Sequence, residues 1–164
     1  MQSKSFQEVT VQHQDFDLSY EYGLLQKQAP HAGAIVLFVG LVRELYPDQT
    51  NSNESKQTID YIELTHYSGM TEKMCLQVVQ EAKQRFSFDA VRIVHRVGKL
   101  YAGDQIVLVA IASRHRDASF EAAQYIMDYL KNRAPIWKKE VGARGEQWLG
   151  LKAKDASSLK RWAK

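Results

Sequence analysis

The residues of this chain best suited to chemistry lie at the two ends of one stretch, S-R-H-R-D-A-S-F-E-A-A-Q-Y-I-M-D-Y-L-K-N-R-A-P-I-W-K-K-E, from Ser113 to Glu140. His115 and Arg116 stand where a helix begins. The first turn of a helix carries unpaired N–H groups and a partial positive charge, so with two cations beside it this end would receive an anion such as a phosphate. Lys131 and Arg133 fall in the last turn, and Trp137, Lys138 and Lys139 follow Pro135 in an extended segment. Two readings of Lys131 and Arg133 stand side by side: they complement the negative end of the helix dipole, or they belong to a cationic site. Arg43 is a further candidate, because it closes the apolar run A-I-V-L-F-V-G-L-V. A charge at the exit of a buried strand is either a solvated terminus or a ligand contact.

These residues need elements to hold them. Ile106 to Ala112 is apolar throughout and follows Gly103-Asp104, which predicts a strand buried on both faces. Phe120, Ala123, Met127, Leu130 and Ala134 recur at spacings of three and four, so the helix that follows should bury them together. Asp117 suits its N-cap or first turn, and Pro135 ends it. Upstream, residues 6 to 12 predict a short strand, and Asp17 to Gln28 a helix with Leu18, Tyr22 and Leu25 on one side. A strand over 33–42 leads to a polar loop over 46–57, and a strand over 58–66 pairs back as a long-looped hairpin. Ser68-Gly69 opens a helix running to Phe86, and a strand over 91–97 and a turn over 98–103 come next. Two strand-helix-strand units with right-handed crossovers result. Beyond Gly142 and Gly145, Gln147 to Leu149 predicts a last strand, and Leu159 and Trp162 would dock a terminal helix.

With 164 residues and no linker, a single domain spanning 1–164 is expected, large enough to bury a core unaided. The net charge of +3 does not call for a nucleic-acid partner. No apolar run approaches the roughly 20 residues of a membrane span and the N-terminus has no apolar signal core, so the chain is placed in the cytoplasm. The single cysteine, Cys75, excludes an internal disulfide. It shares a helical stripe with Val78, Val79, Ala82 and Phe86, which reads as a packed, unreactive thiol. The five histidines contain no H-x-H or H-x-x-x-H pair, so spacing supports no metal site.

Five motifs in order carry a family resemblance: G-x-V-R at Gly40 to Arg43, H-Y-x-G-M-T-E-K at His66 to Lys73, H-R-x-G at His95 to Gly98, S-x-H-R at Ser113 to Arg116, and the long run from Phe120 to Glu140. Over residues 33–148 the chain resembles the large, catalytic subunit of molybdopterin synthase. The resemblance implies an α+β fold, a mixed, largely antiparallel sheet with helices packed on it, hammerhead-like, plus a small β subdomain. It implies a sulfurtransferase that converts cyclic pyranopterin monophosphate (precursor Z) to molybdopterin in molybdenum cofactor biosynthesis. The sulfur would come from a thiocarboxylate on the C-terminal Gly-Gly of a small ubiquitin-like subunit, with two large subunits as a central dimer in a heterotetramer. No cofactor, metal, membrane or nucleic acid is implied.

By the same resemblance Leu41, Val42, Arg43, His115, Arg116, Lys131, Lys138, Lys139 and Glu140 bind substrate, and Lys131 and Lys138 form the catalytic pair. Leucine at position 41 departs from the polar residue common there, which leaves its backbone as the contact. The chemistry is consistent with this: a phosphate needs cations, and developing oxyanions need an acid or an electrostatic partner, with mutual repulsion helping to keep one lysine neutral. From Asp117 to Lys131 a helix rises about 20 Å, so His115 and Lys131 of one chain cannot touch one small group. Either the pocket is long or the site is shared by two subunits, and dimeric relatives favour sharing. A sulfur-transfer enzyme whose lone thiol is packed must receive its sulfur already activated. The competing class is a non-catalytic module that binds a nucleotide or RNA phosphate. Trp137 and Trp148 would either line the groove for the partner's tail or pack in the core.

Overall fold

The computed structural model describes residues 6–43, 59–143, 145–150 and 153–163. The loop expected over 46–57 lies outside them. In chain order the elements are β1 (Val9–Gln12), α1 (Leu18–Gln28), β2 (Ala34–Leu41), β3 (Ile59–His66), α2 (Met70–Arg85), β4 (Ala90–Arg96), β5 (Gly98–Leu100), β6 (Gln105–Ser113), α3 (Arg116–Arg133), β7 (Ile136–Gly142), β8 (Gly145–Leu149) and α4 (Ala153–Ser158), then a 3-10 turn at Leu159–Trp162. The strands form two four-stranded sheets, β1-β4-β6-β2 and β5-β3-β7-β8. Among the described residues only β1 and β4 are parallel, and every other pairing is antiparallel. The fold is thus α+β, with a larger helix-covered sheet and a smaller second one.

The first sheet is organised by β6, apolar on both faces as its sequence predicts. Val107, Val109 and Ile111 point to one side, packing with Val91 and Ile93 of β4 under α2 and α3. Leu108, Ala110 and Ala112 point to the other, with Val94, against Phe16, Leu25 and Ala29 in and around α1. Cys75, Val78, Val79 and Ala82 of α2 are buried as their spacing predicts. A third cluster, Val42, Ile62, Leu64, Val97 and Leu100 with Ile106 and Ile136, joins the second sheet to the first.

The expected hairpin and the two crossover units are corrected. β2 pairs with β6, whereas β3 pairs with β5 and β7, so α2 and α3 each carry the chain from one sheet to the other. The reason lies in β3: Ile62 and Leu64 are buried on one face, but on the other Thr65 is exposed and Glu63 is half-buried. A strand with one polar face cannot sit in a sheet covered on both sides. Residues 98–100, expected as a turn, form the edge strand β5 against Ile62 to Leu64.

Two helix faces also differ from expectation. Leu18 and Tyr22 are exposed at 37% and 38%, while Glu21 is buried beside Leu25. Glu21 turns inward because Arg92 of β4 waits there: Arg92 Nε donates to Glu21 Oε2 at 2.5 Å and Nη2 to Oε1 at 3.1 Å. In α3, Phe120 lies outside the buried stripe at 61% exposure, and Ser119, Ala122, Tyr125 and Ile126 join Ala123 and Leu130 inside. The terminal segment docks through Trp162, whose ring meets Phe86 and Tyr125 and whose Nε1 donates to Asp128 at 2.8 Å.

Candidate active site

The turn between β6 and α3 is built on small hydroxyls. Ser113 is fully buried; its Oγ donates to the His115 carbonyl at 2.6 Å, and the Ser119 hydroxyl lies 2.5 Å away to complete the pair. Gly33 closes over the same turn, with its N–H donating to the Ser113 carbonyl at 3.0 Å. A Cβ on Gly33 would stand 2.6 Å from the Arg114 carbonyl oxygen, so only glycine fits this approach. His115 is the N-cap in extended conformation and makes no side-chain cap bond. The S-x-H-R motif therefore directs His115 and Arg116 outward at a helix N-terminus, with the Arg116 side chain 84% exposed and 3.7 Å from Asp117.

The remaining candidates lie elsewhere. β2 runs antiparallel to β6, with Ala34 opposite Ser113 and Leu41 opposite Gln105. From Ala34 to Leu41 is about 24 Å at roughly 3.4 Å per residue. Leu41 and Arg43 are therefore at the opposite end of the sheet from His115 and Arg116, and both are exposed. Val42 between them is buried; its N–H donates to Asp104 O and its carbonyl accepts from Gly103 N–H, each at 2.8 Å. That places Arg43 at the junction of the two sheets.

β7 begins at the same junction. Thr71, at the buried start of α2, donates its hydroxyl to the Pro135 carbonyl at 3.3 Å and fixes where the strand enters. Lys138 pairs across from Leu64 and Glu140 from Ile62, so both share the face of the second sheet that meets Val42. Lys138 Nζ lies 3.8 Å from Glu140 Oε1. Lys139 is on the other face, where Glu63 at 3.0 Å, Glu146 at 2.9 Å and the Trp148 ring hold it. The hydrogen bonds to Glu146 and Glu63 raise its pKa. Trp137 and Trp148 are 43% and 58% exposed, so neither is a core residue. Trp137 instead meets Tyr67 edge-on with ring centroids 5.3 Å apart.

Lys131 reaches this end through α3. The helix follows β6 after a two-residue turn and packs on β6 and β2, so it must run back along them. Its rise from Arg116 to Lys131 is about 22 Å, nearly the length of the strand. Lys131 Nζ sits 3.3 Å from Asp155 Oδ1 of α4, a partner that no spacing in the sequence signals. Within one chain, then, Leu41, Val42, Arg43, Lys131, Lys138 and Glu140 gather toward one end, His115 and Arg116 occupy the other, and Lys139 faces away.

Two further groups are structural. Burial holds the His95 imidazole down at about 4, against the pull of its bond to the Arg96 carbonyl at 2.8 Å. Burial, with Glu72 nearby, pushes the Cys75 thiol up to about 12, far from the range of a nucleophile. Cys75→Ser is expected to leave sulfur transfer at the wild-type rate while lowering stability by about 1–3 kcal/mol, the cost of a buried hydroxyl. Turnover and thermal melting of the same preparation check this, and lost turnover in a folded variant refutes it.

The geometry thus leaves a helix end open to anions, lysines at a sheet junction and a buried thiol held away from reactivity. The model of the MoaE protein family matches residues 11–133, and the chain belongs to that family. It is 42% identical over 154 residues to the molybdopterin synthase catalytic subunit of Vibrio cholerae, covering 94% of this chain and 97% of that one. Among solved structures, the molybdopterin biosynthesis MoaE protein of Burkholderia ambifaria superposes with a TM-score of 0.78 at 40% identity, over 96% of this chain and 99% of that one. Molybdopterin synthase from Staphylococcus aureus superposes at 0.75 and 29% identity, over 88% and 98%. The chain is accordingly an enzyme of molybdenum cofactor biosynthesis, and the non-catalytic phosphate-binding module is disfavoured.

Proposed function

We propose that this chain carries out sulfur transfer from a thiocarboxylated glycine terminus to a phosphorylated pterin, cyclic pyranopterin monophosphate, in a site shared by two copies of itself. The sulfur donor is the Gly-Gly tail of a small ubiquitin-like subunit, and the assembly is a heterotetramer around the homodimer. Arg43, Lys131, Lys138 and Glu140 of one copy meet His115 and Arg116 of the partner subunit. His115, Arg116 and the α3 N-terminus hold the phosphate, and the backbone of Leu41 and Val42 lines the cleft beside Arg43. Lys131 and Lys138 stabilise the oxyanions and move protons as oxygen leaves the pterin side chain. No helix among the described residues is long and apolar enough to cross a membrane, in keeping with a cytoplasmic setting.

The observation that carries this reading is the division of the cations into two groups about 24 Å apart at opposite ends of one sheet. Neither group alone offers both a phosphate seat and a lysine. Mixing His115→Ala chains with Lys131→Ala chains should restore about one competent site per mixed dimer, read as dithiolene formed from precursor and thiocarboxylated partner. Two inactive parents that stay inactive when mixed would overturn the shared site.

A further inference from the structure

We propose that Asp155 is a positioning residue for Lys131, and that the terminal segment of the chain folds back onto α3 to hold that carboxylate in place. This rests on the reading of Lys131 as a catalytic group and says what aims it. Lys131 springs from the last turn of α3, half exposed, on a long flexible stem. An ammonium so placed samples many rotamers, and the order it needs beside a substrate must come from a second group. Its fellow cation in the same turn is engaged elsewhere, since Arg133 is gripped by both oxygens of Glu81 at 2.8 and 2.7 Å and lies over the Tyr129 ring. Lys131 is met instead by Asp155 Oδ1 at 3.3 Å, from 24 residues further along the chain.

The carboxylate is fixed through its backbone. Asn132, the neighbour of Lys131 on α3, donates Nδ2 to the Asp155 carbonyl at 2.9 Å and to the Asp128 carbonyl at 2.7 Å, so one amide ties the segment to the helix beside the lysine. The Ser158 hydroxyl donates to the same Asp155 carbonyl at 2.6 Å. Further on, Trp162 Nε1 donates to Asp128 Oδ2, Arg161 lies 3.5 Å from that oxygen, and the indole ring packs edge-on against Phe86 and Tyr125. Helix stability does not explain the arrangement. The C-terminal end of α3 carries partial negative charge and favours a cation by itself, so a carboxylate brought to it works against the helix. An ion pair whose lysine is half exposed also contributes little to folding. What the pair supplies is direction: the Asp155 side chain is 25% exposed and its backbone is anchored, so the ammonium it holds is already oriented when an oxyanion develops nearby.

Turnover of precursor with the thiocarboxylated partner, measured for Asp155→Ala, Lys131→Ala and the double variant of the full chain, tests the proposal. Asp155→Ala should lower kcat about tenfold, on the scale of a misplaced catalytic group, with KM and melting temperature near wild type. Asp155→Asn, which keeps an oxygen acceptor in place, should recover part of that loss. Lys131→Ala should lose about 10²-fold or more, and adding Asp155→Ala to it should cost nothing further, because the carboxylate acts through the lysine. A second loss in the double variant, equal to that of Asp155→Ala alone, would give Asp155 a merely structural role and overturn the proposal. Wild-type or raised turnover by Asp155→Ala beside a deficient Lys131→Ala would also overturn it, leaving the lysine in the mechanism without this carboxylate. Wild-type turnover by Lys131→Ala removes the lysine itself, and both the reading and the proposal resting on it fall.

Discussion

Lys138→Ala should lower the rate of molybdopterin formation by about 10²–10³-fold with little change in melting temperature, the loss typical of removing one positioned donor from a developing oxyanion. The expectation comes from placement. The backbone of Lys138 is held between β3 and β8, opposite Leu64 and Leu149, so its side chain springs from a rigid point. The side chain is 37% exposed, which leaves room for truncation without a cavity. It shares the inner face of the second sheet with Glu140 and the junction residue Val42, where Arg43 emerges. Lys138→Arg should recover little, because a planar guanidinium cannot act as the compact proton donor that an ammonium is. Lys139→Ala is the control from the same strand: its ammonium is engaged on the opposite face by Glu63 and Glu146, so turnover should stay within a few-fold of wild type. Turnover by folded Lys138→Ala near the wild-type rate, with a competent sulfur donor, would remove this lysine from the mechanism. An equal loss in Lys139→Ala would place substrate on the outer face.

The largest effect on stability is expected from Glu21→Ala, which should cost about 3–5 kcal/mol and lower the melting temperature by about 10 °C. Glu21 and Arg92 are 5% and 7% exposed, and the guanidinium holds the carboxylate through two bonds. Arg92 also donates from Nη1 to the Gln7 carbonyl at 2.9 Å and to Thr10 Oγ1 at 2.7 Å, so the pair ties α1, β1 and β4 together. Truncating the glutamate strands a buried cation among apolar neighbours such as Leu25 and Val94. The cost comes from that stranded charge, and it predicts that Glu21→Leu combined with Arg92→Met recovers most of the loss. Urea denaturation of the single and double variants decides it. A single variant within 1 kcal/mol of wild type, by the scale of buried pairs, would mean that water reaches Arg92.

Chemistry and local elements were legible in the sequence because both are local. The continuous apolar run of β6 announced a strand covered on both faces, the stripe of Cys75, Val78, Val79 and Ala82 announced the buried side of α2, and five short motifs identified the family. Periodicity failed where a distant partner outweighed it. Glu21 displaced Leu18 and Tyr22 from the buried side because Arg92, far along the chain, offered a buried charge, and Phe120 was left outside although its spacing fitted. Strand pairing was misread for the same reason. The alternation within β3 shows one polar face, but whether it meets β2 or β7 follows only from a two-sided sheet already filled by β4 and β6.

What the sequence determined by itself is the set of cations, their attachment to the ends of particular elements, and the absence of a usable thiol. Tertiary structure alone decided how they are divided. Alternation along β7 sends Lys138 inward and Lys139 outward, and the antiparallel return of α3 along β6 carries Lys131 away from Arg116. A helix and a strand of equal length, joined by a two-residue turn, must separate the ends of the helix by its full rise, and no residue type written at either end can reveal where the other will lie.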